Sequence, residues 1–190
     1  KTPSAVHVSV DNFMGSPRYD EIVDLLDDAG AGGTGAHSAS GDTGGLGGDV
    51  LAESSIVLAG AATSRDDAIS EAGRLLVEAG AVDPSYVDAM HERERSVSTH
   101  MGNLLAIPHG TNEAKGAIRR TAISFVRYPD GIDWNGRPAE FVIGIAGAGE
   151  DHLPILQKVA GVFVDETQVQ RLREARTPSD VLAVLGAVSV

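Results

Sequence analysis

The chain has 190 residues, no cysteine, and 15 basic against 27 acidic side chains, which gives a formal net charge of −12 at pH 7. Without cysteine, disulfides, thiolate chemistry and cysteine-bound zinc are excluded, and the negative charge argues against nucleic acid or an anionic membrane surface as a partner. No apolar run approaches the roughly 18 residues of a membrane span, and no signal-peptide pattern opens the chain. We therefore expect a cytoplasmic protein with no membrane-inserted segment.

The first 49 residues differ in composition from the rest. Residues 1–29 contain one alternating apolar segment, VHVSV, and one predicted helix, which is too little to form a core. We predict that 1–29 is the C-terminal remnant of another domain. Residues 30–49 hold 9 of the 23 glycines and one large apolar residue, Leu46. Because burial cannot offset the entropy of ordering such a segment, we predict a flexible Gly/Ser-rich linker there.

From residue 50 onward, predicted strands and helices alternate. Strands are predicted at Ile56–Leu58, 104–107, 121–128 and 140–147. Helices are predicted after Ser64, from Pro84 to about Arg95, and over Asp151–Phe163, Asp165–Ala175 and Ser179–Leu185. Ser64 and the acid three residues later resemble a capping box, and the almost wholly apolar strand 140–147 is typical of a strand covered on both faces. The pattern predicts an α/β domain over residues 50–190.

No nucleotide-binding or serine-hydrolase motif occurs in the chain. It lacks a G-x-x-x-x-G-K-[ST] loop, a dinucleotide fingerprint after a strand and a G-x-S-x-G elbow. Histidines are the remaining reactive candidates. We expect His7 and His37 to be solvent-exposed, and His91 and His100 to have surface or packing roles. His91, His100 and His109 recur every nine residues, which fits no zinc-ligand spacing, so no metal site is predicted.

His109 differs from the other histidines in its neighbours. Pro108 lacks an N–H and favours an extended residue before it, so the strand ends here, and Gly110 allows a ligand or a partner to approach closely. A histidine at a strand end of an α/β sheet faces the region where ligands gather, and neutral imidazole is a good nucleophile near pH 7. Local sequence leaves two interpretations open: a nucleophile, or a histidine whose hydrogen bonds are satisfied at a strand end.

A second histidine and an arginine are predicted to join His109. His152 opens the helix that follows AGAGED, and a helix N-terminus favours an anion such as a phosphoryl group. If the last strand lies beside the strand before His109, the two histidines meet at one edge of the sheet. Arg93 and Arg95 end an earlier helix, and either could hold phosphate oxygens in a bidentate grip. These residue types together indicate phosphoryl transfer without a metal, and they do not select a substrate.

Two longer segments, MHERERSVSTHMGNLLAIPHGT and DWNGRPAEFVIGIAGAGEDHLPILQKVA, closely resemble the enzyme IIA component of the mannitol-type sugar phosphotransferase system. The resemblance covers about residues 51–190 and rests on the IPHGT, GIAG…HLPIL and R-E-x-x-x-S-T blocks, which occur in order. It implies a mixed β-sheet flanked by helices on both faces.

The resemblance also implies a role for each candidate residue. His109 would take a phosphoryl group from the phosphocarrier protein HPr and pass it to a cysteine of the IIB component. His152 would hydrogen-bond the phosphoryl group or its acceptor, and Arg93 would help to hold the phosphate. No metal or nucleotide cofactor is implied. The segment VHVSVDNFMGSPRYDEIVDLL resembles the C-terminal end of a IIB domain, which implies a chain cut from a longer IICBA fusion.

Two other functions remain open beside a phosphotransferase of the mannitol type. A fructose-type or nitrogen-related regulatory IIA protein would share the fold, although PHGT and WNG favour the mannitol type. A non-catalytic binding module would use its histidines only for structure.

Overall fold

The computed structural model of the protein describes residues 50–186, and this part of the chain forms a five-stranded sheet with five α-helices. The strands are β1 (Ile56–Val57), β2 (His100–Gly102), β3 (Leu105–Ala106), β4 (Ala122–Asp133) and β5 (Pro138–Ala146). The helices are α1 (Arg65–Glu78), α2 (Ser85–Ser96), α3 (His152–Val164), α4 (Glu166–Glu174) and α5 (Pro178–Leu185). Two short 3-10 helices, Glu53–Ser55 and Asn112–Ala117, precede β1 and β4.

The sheet is mixed, with the strand order β1-β4-β5-β3-β2. β4 and β5 form an antiparallel hairpin, β1 is parallel to β4, β3 is parallel to β5, and β2 is antiparallel to β3. β5 is therefore the central strand. Because β3 and β5 run in the same direction, the segments that follow them leave the sheet at the same edge. The predicted α/β fold class is confirmed. The strands before His109 and His152 are neighbours, which is the condition for the two histidines to meet at one edge of the sheet.

Helices cover both faces of β5. One apolar cluster packs α3, α4 and α5 against Phe141, Ile143 and Ile145, and a second packs α1 and α2 against Val142 and Ala146. Successive side chains of a strand point to opposite faces. A strand that serves two cores must therefore be apolar at both odd and even positions, which explains the nearly continuous apolar run of β5.

Side-chain caps begin several helices at the predicted positions. The Thr177 side chain and Asp180 form a complete capping box at the start of α5, and the Asp165 carboxylate accepts from the Thr167 N–H at the start of α4 (2.8 Å). Ser64 caps α1 by accepting from the Asp67 N–H (3.1 Å). The predicted box there takes another form, because the Asp67 carboxylate accepts from the Ser64 hydroxyl (2.7 Å).

The strand predicted at 104–107 is shorter in the structure, and a strand before it was not predicted. Asn103 and Leu104 have φ angles of 47° and 63°, so they form a tight turn between β2 and β3 and are not extended. β2 has only three residues, one of them a glycine, and shows no apolar alternation. β4 continues beyond the predicted end at residue 128 to Asp133, past an irregularity in its pairing with β5.

Residues 1–49 and 187–190 lie outside the described part of the chain. The domain remnant predicted at 1–29 and the linker predicted at 30–49 therefore stay predictions. Within residues 50–186, no helix has the length and apolar character needed to cross a membrane.

Candidate active site

The backbone around His109 continues the line of β3 alongside β5. His109 forms an isolated parallel bridge with Ile145, and the Ile145 N–H donates to the Pro108 carbonyl (3.0 Å). On the other side, the Gly110 N–H donates to the Tyr86 hydroxyl (2.9 Å), which in turn donates to the Ile145 carbonyl (2.8 Å). Both neighbours of His109 are thus tied to one residue of the central strand, and this fixes the point from which the imidazole projects.

The half-buried His109 ring is held in one tautomer. Its Nδ1 lies 2.8 Å from the Ile107 carbonyl oxygen. Because a carbonyl oxygen can only accept, Nδ1 carries the proton of the neutral ring and Nε2 keeps its lone pair. Burial lowers the pKa of His109 to about 4; charge at His152 and Arg93 adds to this shift, and the Ile107 hydrogen bond opposes it. The ring is therefore neutral at physiological pH.

His152 is brought back over His109 by the turn between β5 and α3. The Thr121 hydroxyl donates to the Asp151 carboxylate (2.6 Å) and accepts from the Ala148 N–H (3.1 Å), which ties both ends of this turn to the start of β4. The His109 and His152 ring centroids lie 4.9 Å apart, with their planes at 56°. The two imidazoles therefore face one small region at the N-terminus of α3.

The electrostatics of this region favour an anion. Burial, followed by the positive charges of Lys115 and Arg93, lowers the pKa of His152. Both histidines are thus neutral bases that lie within the field of cationic side chains, Arg93 at both rings and Lys115 at His152. The first N–H groups of α3 have no partner within the helix and add a positive end of the helix dipole.

Arg93 is the arginine that acts on this pair. It lies in the last turn of α2, is half-buried, and donates through Nη1 to the Val97 carbonyl (2.8 Å). Its charge lowers the pKa of both His109 and His152. Arg95, the other predicted candidate, is exposed. Residues two apart on a helix do not face the same side, so Arg95 points away when Arg93 faces the site.

The other described histidines lie in ordinary structural settings. His91 Nε2 is 2.9 Å from the Ser70 hydroxyl on the surface. His100 is buried, its Nε2 donates to the Pro138 carbonyl (3.0 Å), and its Nδ1 accepts from the Gly102 N–H (3.2 Å). These are the surface and packing roles predicted from the sequence. His7 and His37 lie outside the described residues.

Sequence reasoning missed two buried polar residues near the site. One is Tyr86, which bonds the chain beside His109. The other is Glu94, whose carboxylate accepts from the Thr99 N–H (2.6 Å), the Thr99 hydroxyl (2.7 Å) and the Trp134 Nε1–H (2.9 Å). Tyr86 has the spacing of a core residue on α2, so the sequence around it does not indicate that its hydroxyl bonds the His109 segment. Glu94 lies between two arginines, a pattern typical of an exposed helix face.

Comparison with known proteins identifies the family. Residues 49–187 match the family model described as "Phosphoenolpyruvate-dependent sugar phosphotransferase system, EIIA 2". The chain belongs to this family. The matched range includes the whole described sheet, all five described helices and the His109–His152 pair.

Individual members of the EIIA family give the same result. The chain is 46% identical over 140 residues to a "Mannitol-specific phosphotransferase enzyme IIA component" from Halalkalibacterium halodurans, covering 74% of this chain and 97% of the relative. The crystal structure of IIA mannitol from Escherichia coli is 36% identical, with a TM-score of 0.64 over 70% of this chain and 96% of that one.

A second solved structure is the complex of enzyme IIAMTL and phosphorylated enzyme IIBMTL from Escherichia coli. The matched chain is 34% identical, with a TM-score of 0.66 over 72% of this chain and 98% of that one. The resemblance to mannitol-type IIA proteins, predicted from the IPHGT and HLPIL blocks, is therefore confirmed.

Proposed function

We propose that this protein is a phosphoryl carrier of the mannitol phosphotransferase system, with His109 as the residue that is phosphorylated. It would accept the phosphoryl group from phosphorylated HPr and pass it to a cysteine of the IIB component. The observation that carries the proposal is the His109 ring, whose Nδ1 proton is held by the Ile107 carbonyl so that Nε2 has a free lone pair at neutral pH. Membership of the EIIA family supplies the reaction class.

Each of the two transfers, from HPr to His109 and from His109 to IIB, is a displacement at phosphorus. A bond forms between phosphorus and His109 Nε2 while the bond to the donor atom on HPr breaks. Since Nε2 attacks with its lone pair, no proton has to leave the ring. The Nδ1–H group stays hydrogen-bonded to the Ile107 carbonyl, and this bond stabilises the positive charge that the ring gains. In the second step the thiolate sulfur of IIB forms the new bond to phosphorus, and Nε2 recovers its lone pair.

His152 and Arg93 serve in this proposal as groups that hold the phosphoryl oxygens. His152 would donate a ring N–H to the phosphoryl group or to its acceptor, and the Arg93 guanidinium would offset the charge on the oxygens. The charges of Arg93 and Lys115 at His152 support this assignment. The proposal requires no metal and no nucleotide, and it places the carrier in the cytoplasm.

Labelling tests the proposal directly. Incubation of the chain with phosphoenolpyruvate, enzyme I and HPr should give one acid-labile phosphoryl group per chain, and His109→Ala should give none. His91→Ala is the matched control and should label like the parent, because its ring lies on the surface beside Ser70. Stoichiometric labelling of His109→Ala would contradict the assignment, and an unlabelled parent would favour a binding module.

The sugar is tested at the second step. The names of the curated relatives and the WNG segment favour mannitol over a fructose-type or nitrogen-related regulatory role. The phosphorylated chain should transfer its label to a mannitol IIB protein at least about tenfold faster than to a fructose IIB protein, a difference of roughly 1.4 kcal/mol in the barrier. Equal rates, or no transfer to either, would contradict mannitol specificity.

A further inference from the structure

Tyr86 is a buried tyrosine whose hydroxyl joins two segments of the candidate site. Its side chain is 2% exposed and lies in the cluster between α1, α2 and the sheet. The hydroxyl accepts from the Gly110 N–H and donates to the Ile145 carbonyl. Because a hydroxyl has a single proton, the donor is Tyr86 in one bond and Gly110 in the other. The three groups form a chain of hydrogen bonds with a defined direction.

This chain of bonds lies on one side of the parallel bridge between His109 and Ile145. In a parallel pair, the residue before His109 accepts from Ile145, and the residue after His109 donates to Ile145. The first of these bonds is present, from the Ile145 N–H to the Pro108 carbonyl. At the second position, the Gly110 N–H and the Ile145 carbonyl each make a short bond to the Tyr86 hydroxyl, of 2.9 Å and 2.8 Å. The path of the chain just after His109 therefore depends on this hydroxyl.

The Tyr86 ring also contacts this segment closely. A Cβ atom placed on Gly110 would lie 2.4 Å from Tyr86 Cε2, so only glycine allows the backbone to rest against the ring. Burial raises the pKa of the Tyr86 hydroxyl, an effect that the Gly110 N–H partly opposes. The hydroxyl therefore stays protonated and remains a donor to Ile145 at every pH at which the protein works.

We propose that Tyr86 is a positioning residue for His109: by fixing the backbone from Pro108 to Gly110, it sets the direction in which the Nε2 lone pair points. Tyr86 itself does not touch the reacting atoms. A small misplacement of a reacting atom lowers the rate of a step that depends on alignment. The rate argument rests on the proposed function, whereas the argument on ring geometry does not.

The test compares Tyr86→Phe with Tyr128→Phe in the complete 190-residue chain. Tyr128 is the matched control because it is also buried in the same cluster, and it also donates one hydroxyl hydrogen bond, to Glu71 Oε2 (2.7 Å). Each variant removes one buried hydroxyl group and keeps the ring. Only Tyr86→Phe removes the link between Gly110 and Ile145.

Two readouts are measured on both variants. In ¹⁵N spectra of the His109 ring, the parent and Tyr128→Phe should show the Nδ1–H tautomer, and Tyr86→Phe should show a mixture of tautomers with a higher titration midpoint. In single-turnover phosphorylation by phospho-HPr at saturating donor, Tyr86→Phe should be about tenfold slower than the parent, a loss consistent with misalignment of the nucleophile. Tyr128→Phe should stay within about twofold of the parent, since its hydroxyl does not bond the His109 segment.

The outcomes separate the two proposals. If the parent takes no label, the proposed function fails, and the ring spectra alone decide the role of Tyr86. If Tyr86→Phe has the ring spectrum and the rate of the parent, the positioning role is wrong. Should Tyr86→Phe not fold, Gly110→Ala is the second variant, because its Cβ displaces the Tyr86 ring while every hydroxyl is kept. The same tautomer mixture and slower labelling in Gly110→Ala would support the proposal, and a parent-like spectrum and rate would overturn it.

Discussion

The His109 ring donates its one proton to the Ile107 carbonyl, and burial lowers its pKa to about 4. An ordinary histidine has a pKa near 6.5 and loses its lone pair to a proton in mild acid. The folded His109 ring keeps its lone pair there, and this has a consequence for stability. Between pH 6.5 and 4 the unfolded chain binds a proton that the folded ring does not, so the free energy of unfolding falls as the pH falls through this window.

We predict that His109→Gln removes part of this acid sensitivity. One proton bound only in the unfolded state contributes a slope of up to about 1.4 kcal/mol per pH unit. Urea unfolding of the parent and of His109→Gln at pH 6.5, 5.5 and 4.5 would show the difference, because the carboxylates common to both chains cancel. Parallel stability curves would mean that the folded ring titrates like an exposed histidine.

Arg93 and Arg95 give a second test at the scale of single residues. Arg93→Lys should slow transfer from the phosphorylated chain to IIB by about tenfold, since a point charge replaces a planar fork that can grip two oxygens. Arg95→Lys is the matched control on the same turn of α2, and its transfer rate should equal that of the parent. If the two variants exchanged these outcomes, Arg95 would be the phosphate ligand.

Residue types predicted that His109 and His152 lie together, but not the groups that hold them in place. His109 and His152 can be identified from the sequence because proline, glycine and a helix start mark their surroundings. Tyr86 and Glu94 cannot, because their partners are backbone groups and side chains that only the folded chain brings near, such as Ile145 and Trp134.

The C-terminal end of α2 is fixed by a buried carboxylate. Glu94 is 4% exposed and links the segment after the helix, through Thr99, to the β4–β5 hairpin, through the fully buried Trp134. Both carboxylate oxygens therefore accept from buried donors, Oε2 from Thr99 and Oε1 from Trp134. Arg93 precedes Glu94 on the same turn, and the position of its guanidinium therefore depends on this anchor.

We predict that Glu94→Gln destabilises the protein by about 1–3 kcal/mol, the usual cost of leaving a buried polar group unpaired. A glutamine amide has one acceptor and one donor end, so its NH₂ must face either the Thr99 N–H or the Trp134 indole N–H. Exposed Glu92 on the same helix supplies the control, Glu92→Gln. Urea unfolding, followed by the fluorescence of the single tryptophan, measures the stability of both variants. Equal unfolding midpoints for the two variants would show that Glu94 does not anchor the end of α2.

The helices and strands show which structural features local sequence is sufficient to predict. Helix starts were predicted to within a residue or two. At α1 and α5 the reason is local, because the caps Ser64 and Thr177 act on groups three residues away. The β2–β3 turn was not predicted, because Asn103 and Leu104 adopt positive φ angles without a glycine at either position. The turn is stabilised by contacts outside it, including the bond from the Asn103 side chain to the Phe163 carbonyl (3.1 Å), and no local pattern reports these.

At the scale of the whole molecule, one central strand joins two apolar clusters. β5 supplies side chains to both, so loss of either helical layer exposes one face of the same strand. Such a layered core with a shared middle strand is expected to unfold as one cooperative unit. The nearly unbroken apolar run of this strand is what allowed the layered fold class to be predicted from the sequence.

We predict that residues 50–190 fold and react without the preceding segment. The family match begins at residue 49, and the described sheet and helices form a closed layered core. The shortened chain should have the thermal midpoint of the full chain within about 4 °C, the shift that roughly 1 kcal/mol produces in a domain of this size, and it should take label at the same rate. A markedly lower midpoint would show that residues 1–49 contribute to this core and are not a remnant joined by a linker.

The lowered pKa of His109 also affects how the ring reacts with acylating reagents. Acylating reagents such as diethyl pyrocarbonate attack the lone pair of an unprotonated imidazole nitrogen and do not react with imidazolium. Near pH 5 an ordinary histidine is largely protonated, whereas a ring with a pKa of about 4 is largely neutral. Mild acid therefore directs such a reagent to the His109–His152 pair, whose pKa values are both lowered, over histidines that titrate normally. This provides a way to attach a covalent probe at the paired histidines without mutation.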